Sequence, residues 1–401
     1  MNRNITLLYI IKFSKWFMLF MPIVVPFYKS NGLEYSSLFT LQAIYSVSIV
    51  VLEIPSGYFA DVIGRKVTIL LGTMFGFIGF GLYSISSGFV GFMIAEITLG
   101  FGTSFISGAD SAMLYDTLFD LKRENQYMKL EGRITSAGNF SESIAGIAGG
   151  FLALYSLRLP YYFQTAIAFT GIPAAILLTE PRKHSSIMRM NFRNILHIVD
   201  YALIRNRILR RNIFFSSLIG SSTLTMAWFV QPYFEIVKLP LGLYGILWTA
   251  LNLTVALTTL IAYRIEHKMG QMKIIFLITF GISAGYLLLG WIKNVWALSI
   301  LFFFYMIRGI ATPVLKDYIN QLTSSDIRAT VLSIRSFIIR IIFAVFGPFI
   351  GWFSDEFSIQ NALLFSGGIY LILSLLTAIQ YLKSINRKEK SIPYVVKDNP
   401  S

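Results

Sequence analysis

Long apolar stretches separated by short polar connections run along the whole chain of 401 residues. A helix needs about 20 apolar residues to cross the hydrocarbon core of a bilayer, and a window of that length predicts twelve such helices here. Their limits are residues 5–28, 36–59, 67–86, 89–117, 131–156 and 160–179 in the first half, and 211–235, 241–262, 274–292, 295–318, 329–352 and 359–383 in the second. The pattern therefore predicts an all-α membrane protein with six spans in each half.

The polar connection in the middle of the chain is the only long one. It divides the sequence into a predicted N-terminal six-helix bundle at residues 1–180, a linker at 181–210, a C-terminal six-helix bundle at 211–384 and a tail at 385–401. Within the linker, apolar residues recur at helical spacing among arginines and asparagines, which predicts an amphipathic helix on the inner leaflet. These apolar residues are Phe192, Ile195, Leu196, Val199 and Leu203.

Basic residues are concentrated in every second connection. The chain has a net charge of +14, although only 13% of its residues are charged, whereas soluble proteins contain about 25%. Cytoplasmic connections of membrane proteins carry an excess of Lys and Arg, so both termini and the linker are predicted to face the cytoplasm. This topology explains the positive charge without a nucleic-acid partner. The predicted location is the inner (cytoplasmic) cell membrane.

An internal repeat supports the division into two halves. Gly108, Leu114 and Asp116 in the fourth span recur in the tenth as Gly309, Leu315 and Asp317. At almost the same spacing, Leu130 and Arg133 of the fifth span recur as Leu332 and Arg335 of the eleventh. Transporters are often built from two such repeats with the substrate site between them, near the middle of the membrane.

A short polar segment between the second and third spans combines two glycines, one acid and two bases. These residues are Gly57, Asp61, Gly64, Arg65 and Lys66. The glycines allow close helix approach and a tight turn. Asp61 can pair with Arg65 or with the positive N-terminal end of a neighbouring helix. Taken alone, the segment is either a gate of this kind or a solvated turn.

The spacing of this segment, G-x-x-x-D-x-x-G-R-K, resembles the signature loop of the major facilitator superfamily. The resemblance implies the fold of that superfamily, in which two pseudo-symmetric six-helix bundles alternate in access around a central site. It also implies that the segment holds the halves together on the cytoplasmic side, with Asp116 as a further acid of the same gating motif. The resemblance thus predicts a secondary transporter that is a monomer.

Small residues recur along the fifth span: Gly132, Ser141, Ala145, Gly146, Gly149 and Gly150. They resemble the glycine-rich motif G-P-x-x-G-G of drug-exporting members of the superfamily, although the proline is missing. The resemblance favours proton-coupled efflux of small amphiphilic compounds. Close helix packing is the alternative explanation, since small residues allow it whatever the function.

Ionisable residues inside the spans are costly in a bilayer and usually functional. Glu96 stands where proton-coupled exporters of the superfamily carry an arginine, so their usual coupling residue is absent. Three acids are predicted to carry the coupling proton: Glu96, Asp110 and Glu142. Four bases are predicted to bind the substrate: Lys12, Lys15, Arg308 and Arg340. The alternative is that these acids and bases neutralise one another in structural ion pairs.

Other classes of function fit the sequence less well. The chain has no cysteine, and its three histidines lie outside the spans without metal-ligand spacing, so no enzyme, cofactor or metal site is expected. The expected partners are a small-molecule substrate, protons and the lipid bilayer. Two other kinds of transport stay open, a proton-linked transporter of a defined organic anion and a lysolipid flippase.

Overall fold

The computed structural model describes residues 2–181, 192–324 and 327–386, which contain no β-strand. Fifteen α-helices lie in these ranges: α1 (Asn2–Trp16), α2 (Val24–Ser30), α3 (Tyr35–Val62), α4 (Arg65–Ile85), α5 (Gly88–Ile106), α6 (Ala109–Asp120), α7 (Tyr127–Ala153), α8 (Leu159–Ile176), α9 (Phe192–Asp200), α10 (Arg207–Ile236), α11 (Tyr244–Met269), α12 (Gln271–Trp291), α13 (Leu298–Asn320), α14 (Arg328–Glu356) and α15 (Ile359–Asn386). The predicted all-α fold is confirmed for the described residues.

Ten segments of the described residues are long and apolar enough to cross a membrane, and they include every predicted span except the fifth and sixth. The helices α7 and α8 occupy the positions of these two spans. Polar residues and prolines lower their hydropathy, since α7 contains Glu131, Arg133 and Glu142, and α8 contains Gln164 and two prolines. Helices therefore stand at all twelve predicted positions.

Two predicted spans are interrupted, which corrects the expectation of one continuous helix in each. The first span divides into α1 and α2, which are joined through a 3-10 turn at Met21–Ile23. Pro22 in this turn has no N–H to donate. The fourth span divides into α5 and α6 at Gly108, whose φ of 83° lies in the left-handed region that favours glycine.

Two glutamine side chains satisfy the backbone where the first span is interrupted. Gln164 Oε1 accepts a hydrogen bond from the Leu19 N–H at 2.9 Å. Gln231 Oε1 accepts one from the Val25 N–H at 2.9 Å, and its Nε2 donates to the Met21 carbonyl at 2.7 Å. Irregular backbone at membrane depth needs protein partners of this kind because lipid offers none. The two glutamines therefore stabilise the interruption.

The chain folds into two compact units, each built from several segments of the sequence. Unit 1 comprises Met1–Ile187, Gln231–Ala250 and Gly347–Asp355, and unit 2 comprises Met188–Val230, Leu251–Phe346 and Glu356–Ser401. A buried apolar cluster of unit 1 joins α1, α4, α6, α7 and α8 through Leu7, Leu8, Ile11, Ile69, Ala109, Met113, Leu114, Leu118, Ile134, Ala174, Ala175 and Leu178. This cluster packs together one end of five of the first six spans.

The predicted domain boundaries stay predictions. Residues 182–191 of the predicted linker and residues 387–401 of the predicted tail lie outside the described residues. In the described part, unit 1 extends beyond the first half of the chain, since it includes segments of α10, α11 and α14.

The predicted amphipathic helix of the linker is present as α9 and belongs to unit 2. It continues as a π-helical turn at Tyr201–Arg205. Ile198 and Ala202 are buried in an apolar cluster with residues of α10, α13 and α14. Leu196 and Ile204 are exposed on the surface. One face of this segment therefore packs on unit 2, and contact of the other face with lipid stays a prediction.

Candidate functional site

The connection between α3 and α4 consists only of Ile63 and Gly64. Gly64 has a φ of 115°, which fits the predicted tight turn. The first N–H groups of α4, those of Arg65 and Lys66, donate hydrogen bonds to Glu180 at 2.8 and 2.7 Å. A carboxylate is favoured there because the N-terminal N–H groups lack helical partners and carry partial positive charge. Glu180 was not predicted, although it follows the sixth span at the same end as Arg65.

Arg65 and Asp116, both predicted for the gating motif, are brought together. The Arg65 guanidinium forms an ion pair with the Asp116 carboxylate on α6 and donates to the Ala112 carbonyl. The two charged side chains expose only 18% and 13% of their surface. Charge-assisted hydrogen bonds of this kind are about twice as strong as neutral ones. They hold the first turn of α4 against α6.

The other residues of the gating motif contribute differently. Gly57 lies inside α3, and a Cβ at this position would have no other atom within 4 Å. Among the described residues none approaches Gly57 this closely, and its predicted role in the gate stays a prediction. Asp61 lies in the last turn of α3, but its side chain is outside the part of the chain that the structure describes. Its pairing stays a prediction.

Lys12 on α1 and Asp110 on α6 form an ion pair, with Nζ 3.4 Å from Oδ2. Their side chains are 13% and 15% exposed. The Lys12 ammonium also lies 5.6 Å from the ring centroid of Trp16, and Asp110 Oδ1 accepts a hydrogen bond from the Ser111 N–H at 2.8 Å. A predicted substrate-binding base and a predicted proton-coupling acid therefore neutralise each other, as the ion-pair alternative expects.

Glu96 on α5 is buried, with 5% exposure, and neutral donors surround it. Its Oε1 accepts hydrogen bonds from Tyr83 at 2.6 Å, from Gln42 at 2.6 Å and from Tyr28 at 3.1 Å. The Tyr28 and Tyr83 hydroxyls are also hydrogen-bonded to each other. In the described ranges no base lies within the 4.0 Å of an ion pair. Glu96 is therefore an acid without a counter-charge.

The surroundings of Glu96 are aromatic. The ring of Phe92 lies 5.2 Å from that of Tyr28 and 5.4 Å from that of Tyr83, between ring centroids. The Tyr161 ring stacks on Tyr83 at 5.3 Å, and its buried hydroxyl has no hydrogen-bond partner in the described structure. Burial among such rings favours the neutral acid, whereas the three donated hydrogen bonds favour the carboxylate. An acid held between these two effects is suited to gain and lose a proton.

The glycines of α7 are positions of very close packing. A Cβ at Gly149 would overlap the carbonyl of Leu19, in the interruption of the first span. A Cβ at Gly150 would lie 3.0 Å from the Cα of Gly245, and one at Gly146 would lie 2.8 Å from Thr249 Oγ1. Glycine removes the side chain that would prevent such contacts. Packing alone therefore accounts for these three residues of the glycine-rich run.

A polar cluster of unit 1 joins the ends of α2, α3, α10 and α14. Lys29 Nζ lies 2.8 Å from Glu235 Oε2 and donates to the Tyr35 hydroxyl at 2.7 Å. The Tyr35 hydroxyl donates to Glu235 at 2.8 Å. Asp355 accepts hydrogen bonds from the N–H groups of Tyr35 and Ser36 at 2.9 and 2.7 Å. These charges are scattered through short connections of the sequence, so the cluster was not predicted.

Three arginines of the spans in unit 2 have no acidic partner among the described residues. Arg308 lies over the ring of Tyr305 at 5.3 Å, and Arg340 is half-buried on α14. Arg335, which was not predicted as a site residue, is 6% exposed, and its Nε donates to Ser216 Oγ at 2.5 Å. Within the described residues no carboxylate lies within 4.0 Å of these three guanidinium groups. Arg335 could have been noticed as an arginine inside the eleventh span.

Lys15 and Glu142 lie on α1 and α7 of unit 1. Their predicted roles in substrate binding and proton coupling stay predictions. Over the described ranges, no group of three or more His, Asp or Glu residues is arranged to hold a metal ion.

A family model matches most of the chain, and two curated relatives are similar to it. A family model described as Major Facilitator Superfamily matches residues 5–236 and 213–395. Multidrug resistance protein 2 of Bacillus subtilis (strain 168) is 22% identical over 376 residues, which cover 88% of this chain and 88% of that protein. Quinolone resistance protein NorA of Staphylococcus aureus (strain N315) is 26% identical over 197 residues, which cover 46% of this chain and 48% of that protein.

Solved structures share the fold at low sequence identity. The crystal structure of nucleoside transporter NupG has a TM-score of 0.80 at 13% identity and covers 95% of this chain and 99% of that one. The crystal structure of a D-xylose-proton symporter has a TM-score of 0.71 at 15% identity and covers 98% of this chain and 97% of that one.

Proposed function

Because this chain belongs to the Major Facilitator Superfamily, we propose that it exports small amphiphilic compounds in exchange for protons. It is a multi-pass membrane protein with the twelve-helix fold of that superfamily. As a member of this superfamily of transporters, it is a transporter and not an enzyme. The proposal concerns the direction of transport, the coupling ion and the class of substrate.

Glu96 is the observation that carries the proposed proton coupling. It is a buried acid with three neutral donors and, in the described structure, no base in ion-pair contact. Its two protonation states differ by a full charge in a largely apolar environment, so a change of surroundings during transport shifts the balance between them. Asp110 is a second candidate because protonation would release its partner Lys12. Glu142 is the third.

Two observations support export of amphiphilic compounds. The similarity to Multidrug resistance protein 2 extends over 88% of both chains, and α7 contains the glycine-rich run that resembles the motif of drug exporters. In the proposed cycle, alternating access exposes the substrate site to one side of the membrane at a time, and proton release is coupled to one of these changes. Lys12, Lys15, Arg308 and Arg340 remain the candidates for substrate contact.

The proposed setting is the inner (cytoplasmic) membrane, with both termini in the cytoplasm and the protein acting as a monomer. The excess of Lys and Arg in alternate connections supports this orientation. In it, the Arg65–Asp116 pair and Glu180 lie on the cytoplasmic side of unit 1.

Flux measurements on purified protein in proteoliposomes test the proposal. A pH gradient should drive accumulation of a fluorescent amphiphilic dye by the native chain, and collapse of the gradient should stop it. Glu96→Gln should reduce the gradient-driven flux to background while exchange of labelled for unlabelled dye continues, because exchange needs no net proton movement. The control is Glu34→Gln, which neutralises an exposed acid.

Two results would count against the proposal. If the native chain transports the dye at the same rate with and without a pH gradient, proton coupling is excluded. Full gradient-driven flux in Glu96→Gln, Asp110→Asn and Glu142→Gln would exclude all three candidate acids. Comparable amounts of protein in the membrane are required for each variant, since loss of a buried hydrogen-bonding group also costs stability.

A proton-linked transporter of a defined organic anion is the second candidate. The acid-free surroundings of Arg308, Arg335 and Arg340 in the described part of unit 2 favour it. Competition separates the two candidates, because cationic amphiphiles should inhibit dye flux in the first and simple organic anions should inhibit it in the second.

A further inference from the structure

Arg335 is a buried cation whose position in unit 2 is well defined. It lies about two turns into α14, and only 6% of it is exposed. Its Nε donates to Ser216 Oγ on α10 at 2.5 Å, and the Ser217 hydroxyl donates to the Arg335 carbonyl at 3.2 Å. Beside it, a Cβ added to Gly220 would lie 3.6 Å from Nη2. One neighbouring helix, α10, therefore contacts both the backbone of Arg335 and its guanidinium.

The guanidinium has fewer partners than its chemistry requires. An arginine carries five N–H donors, and among the described residues only the Nε–H has an acceptor. Neither Nη1 nor Nη2 is among the fully enclosed polar atoms without a partner, so both retain some access to their surroundings. The two nitrogens that can bind both oxygens of one carboxylate, Nη1 and Nη2, therefore have no hydrogen-bond partner among the described residues.

Three described acids of unit 2 have partners elsewhere, and a fourth, Glu356, is exposed at the opposite end of α14 from Arg335. Asp317 accepts a hydrogen bond from Gln321 at 2.7 Å, and Glu266 accepts one from Tyr318 at 2.8 Å. Asp200 pairs with Arg205 on the linker segment. A cation at membrane depth is costly unless an opposite charge accompanies it. A negatively charged ligand would supply that charge.

The internal repeat indicates that this burial is not a general demand of the fold. Arg133 occupies the equivalent position of the first half, yet it is exposed on α7. Unit 1 instead buries an acid, Glu96, among neutral donors. A buried base without an acid in ion-pair contact, and with Lys316 as a neighbouring base, is thus a feature of the described part of the second half.

We propose, on the basis of the export function above, that Arg335 binds a carboxylate or similar oxyanion of the transported compound. The two N–H groups of a guanidinium edge match the two oxygens of a carboxylate in a paired contact. Ser216 and Gly220 are small and leave the guanidinium free to make it. The substrates are then amphiphiles that carry an anionic group, and not cations alone.

A matched pair of dyes tests this assignment on the full-length protein. The first is a rhodamine with a free carboxyl group, and the second is the methyl ester of the same rhodamine. Binding to detergent-purified protein is measured by fluorescence polarisation for both. The native chain should bind the carboxyl dye at least about tenfold more tightly than the ester, as one charge-assisted contact contributes.

Three variants distinguish the loss of the paired hydrogen bonds from the loss of a positive charge and from a loss of folded protein. Arg335→Gln should abolish the preference for the carboxyl dye while ester binding stays unchanged. Arg335→Lys should keep part of the preference, because it preserves the charge but not the planar fork. Arg207→Gln, which removes an exposed base at the start of α10, should keep all of it.

Each result decides for or against Arg335. No preference in the native chain, or an undiminished preference in Arg335→Gln, would overturn the assignment, as would equal loss of both dyes in both Arg335 variants. Gradient-driven flux of the ester in the native chain measures the export function separately. If the ester is transported but the carboxyl dye is not bound more tightly, the export function holds and the anion site is excluded. If the carboxyl dye is bound more tightly but the ester is not transported, the anion site holds and the export function is excluded.

Discussion

Glu180 and Asp355 perform the same task at two different helices. Glu180 accepts hydrogen bonds from the first two N–H groups of α4, and Asp355 does so at the start of α3. Both carboxylates come from distant parts of the chain, whereas most helix caps come from the adjacent residue. Each therefore combines a local function, satisfying a helix end, with a long-range one, joining two segments.

Replacement of Glu180 by Gln should weaken the start of α4. The amide can accept one of the two hydrogen bonds but carries no charge opposite the helix N-terminus, so we expect a loss of about 1–2 kcal/mol in the free energy of unfolding. Thermal unfolding in detergent measures the change. Glu124→Gln is the control, since it neutralises an acid in the short turn before α7. An equal melting temperature for Glu180→Gln and the native chain would refute this role.

At the level of helices, the glycines of α7 differ in how closely other residues pack against them. On α7, a Cβ at Gly149 would overlap the Leu19 carbonyl, whereas a Cβ at Gly132 would meet no atom within 4 Å. Gly149 is therefore required by packing and Gly132 is not. A single helix thus offers both the test and its control.

Gly149→Ala should be far more damaging than Gly132→Ala. The added methyl group forces α7 away from the interruption of the first span, and overpacking of this kind costs about 1–3 kcal/mol. Gly132→Ala should be neutral or slightly stabilising, because alanine is the better helix former. The yield of folded protein and its thermal unfolding compare them. Similar behaviour of both variants would show that this contact is not tightly packed in solution.

The sequence predicts the elements well because apolar length and charge are local properties. It predicts Arg65 and Asp116 through a distinctive motif, and the two side chains are in contact. It does not predict Glu180, because the carboxylate acts on helix N–H groups over 100 positions away. The interruption at Gly108 depends on one backbone angle, and glycine is common elsewhere in the spans without such a break. Arg335 and Arg133 look alike in sequence and differ in burial, since burial depends on packing between helices.

On the scale of the molecule, the two units differ in how the charged side chains of their spans are paired. In the described part of unit 1, bases and acids form pairs, namely Lys12 with Asp110, Lys29 with Glu235 and Arg65 with Asp116. In the described part of unit 2, the span bases Arg308, Arg335 and Arg340 have no such partners. Apart from Glu96, the ionisable span residues named here for unit 1 include several ion pairs, whereas these three span bases of unit 2 have no acid in ion-pair contact among the described residues.

A double-mutant cycle on Lys29 and Glu235 should show a small coupling. The side chains are 42% and 24% exposed, so water screens the pair and we expect about 0.2–1 kcal/mol. Thermal unfolding of Lys29→Ala, Glu235→Ala and the double variant gives this value.

Asp355→Asn should destabilise unit 1 more than either single change at the Lys29–Glu235 pair, by about 1–2 kcal/mol, because Asp355 satisfies two backbone groups of α3. The reverse order would mean that the ion pair, and not the helix end, holds this cluster together. Asn361→Ala on α15 is a suitable control outside the cluster.

The interruption of the first span has an electrical consequence. The groups that complete its backbone, Gln164 and Gln231, are neutral amides. Rearrangement of this joint would move no ionic charge through the membrane field, whereas one elementary charge moved fully across is worth about 2.3 kcal/mol per 100 mV. Any dependence of turnover on voltage must then originate in the charged residues of the spans or in the cargo. Gln231→Glu would place a charge at the joint and should make a voltage-indifferent step voltage-sensitive.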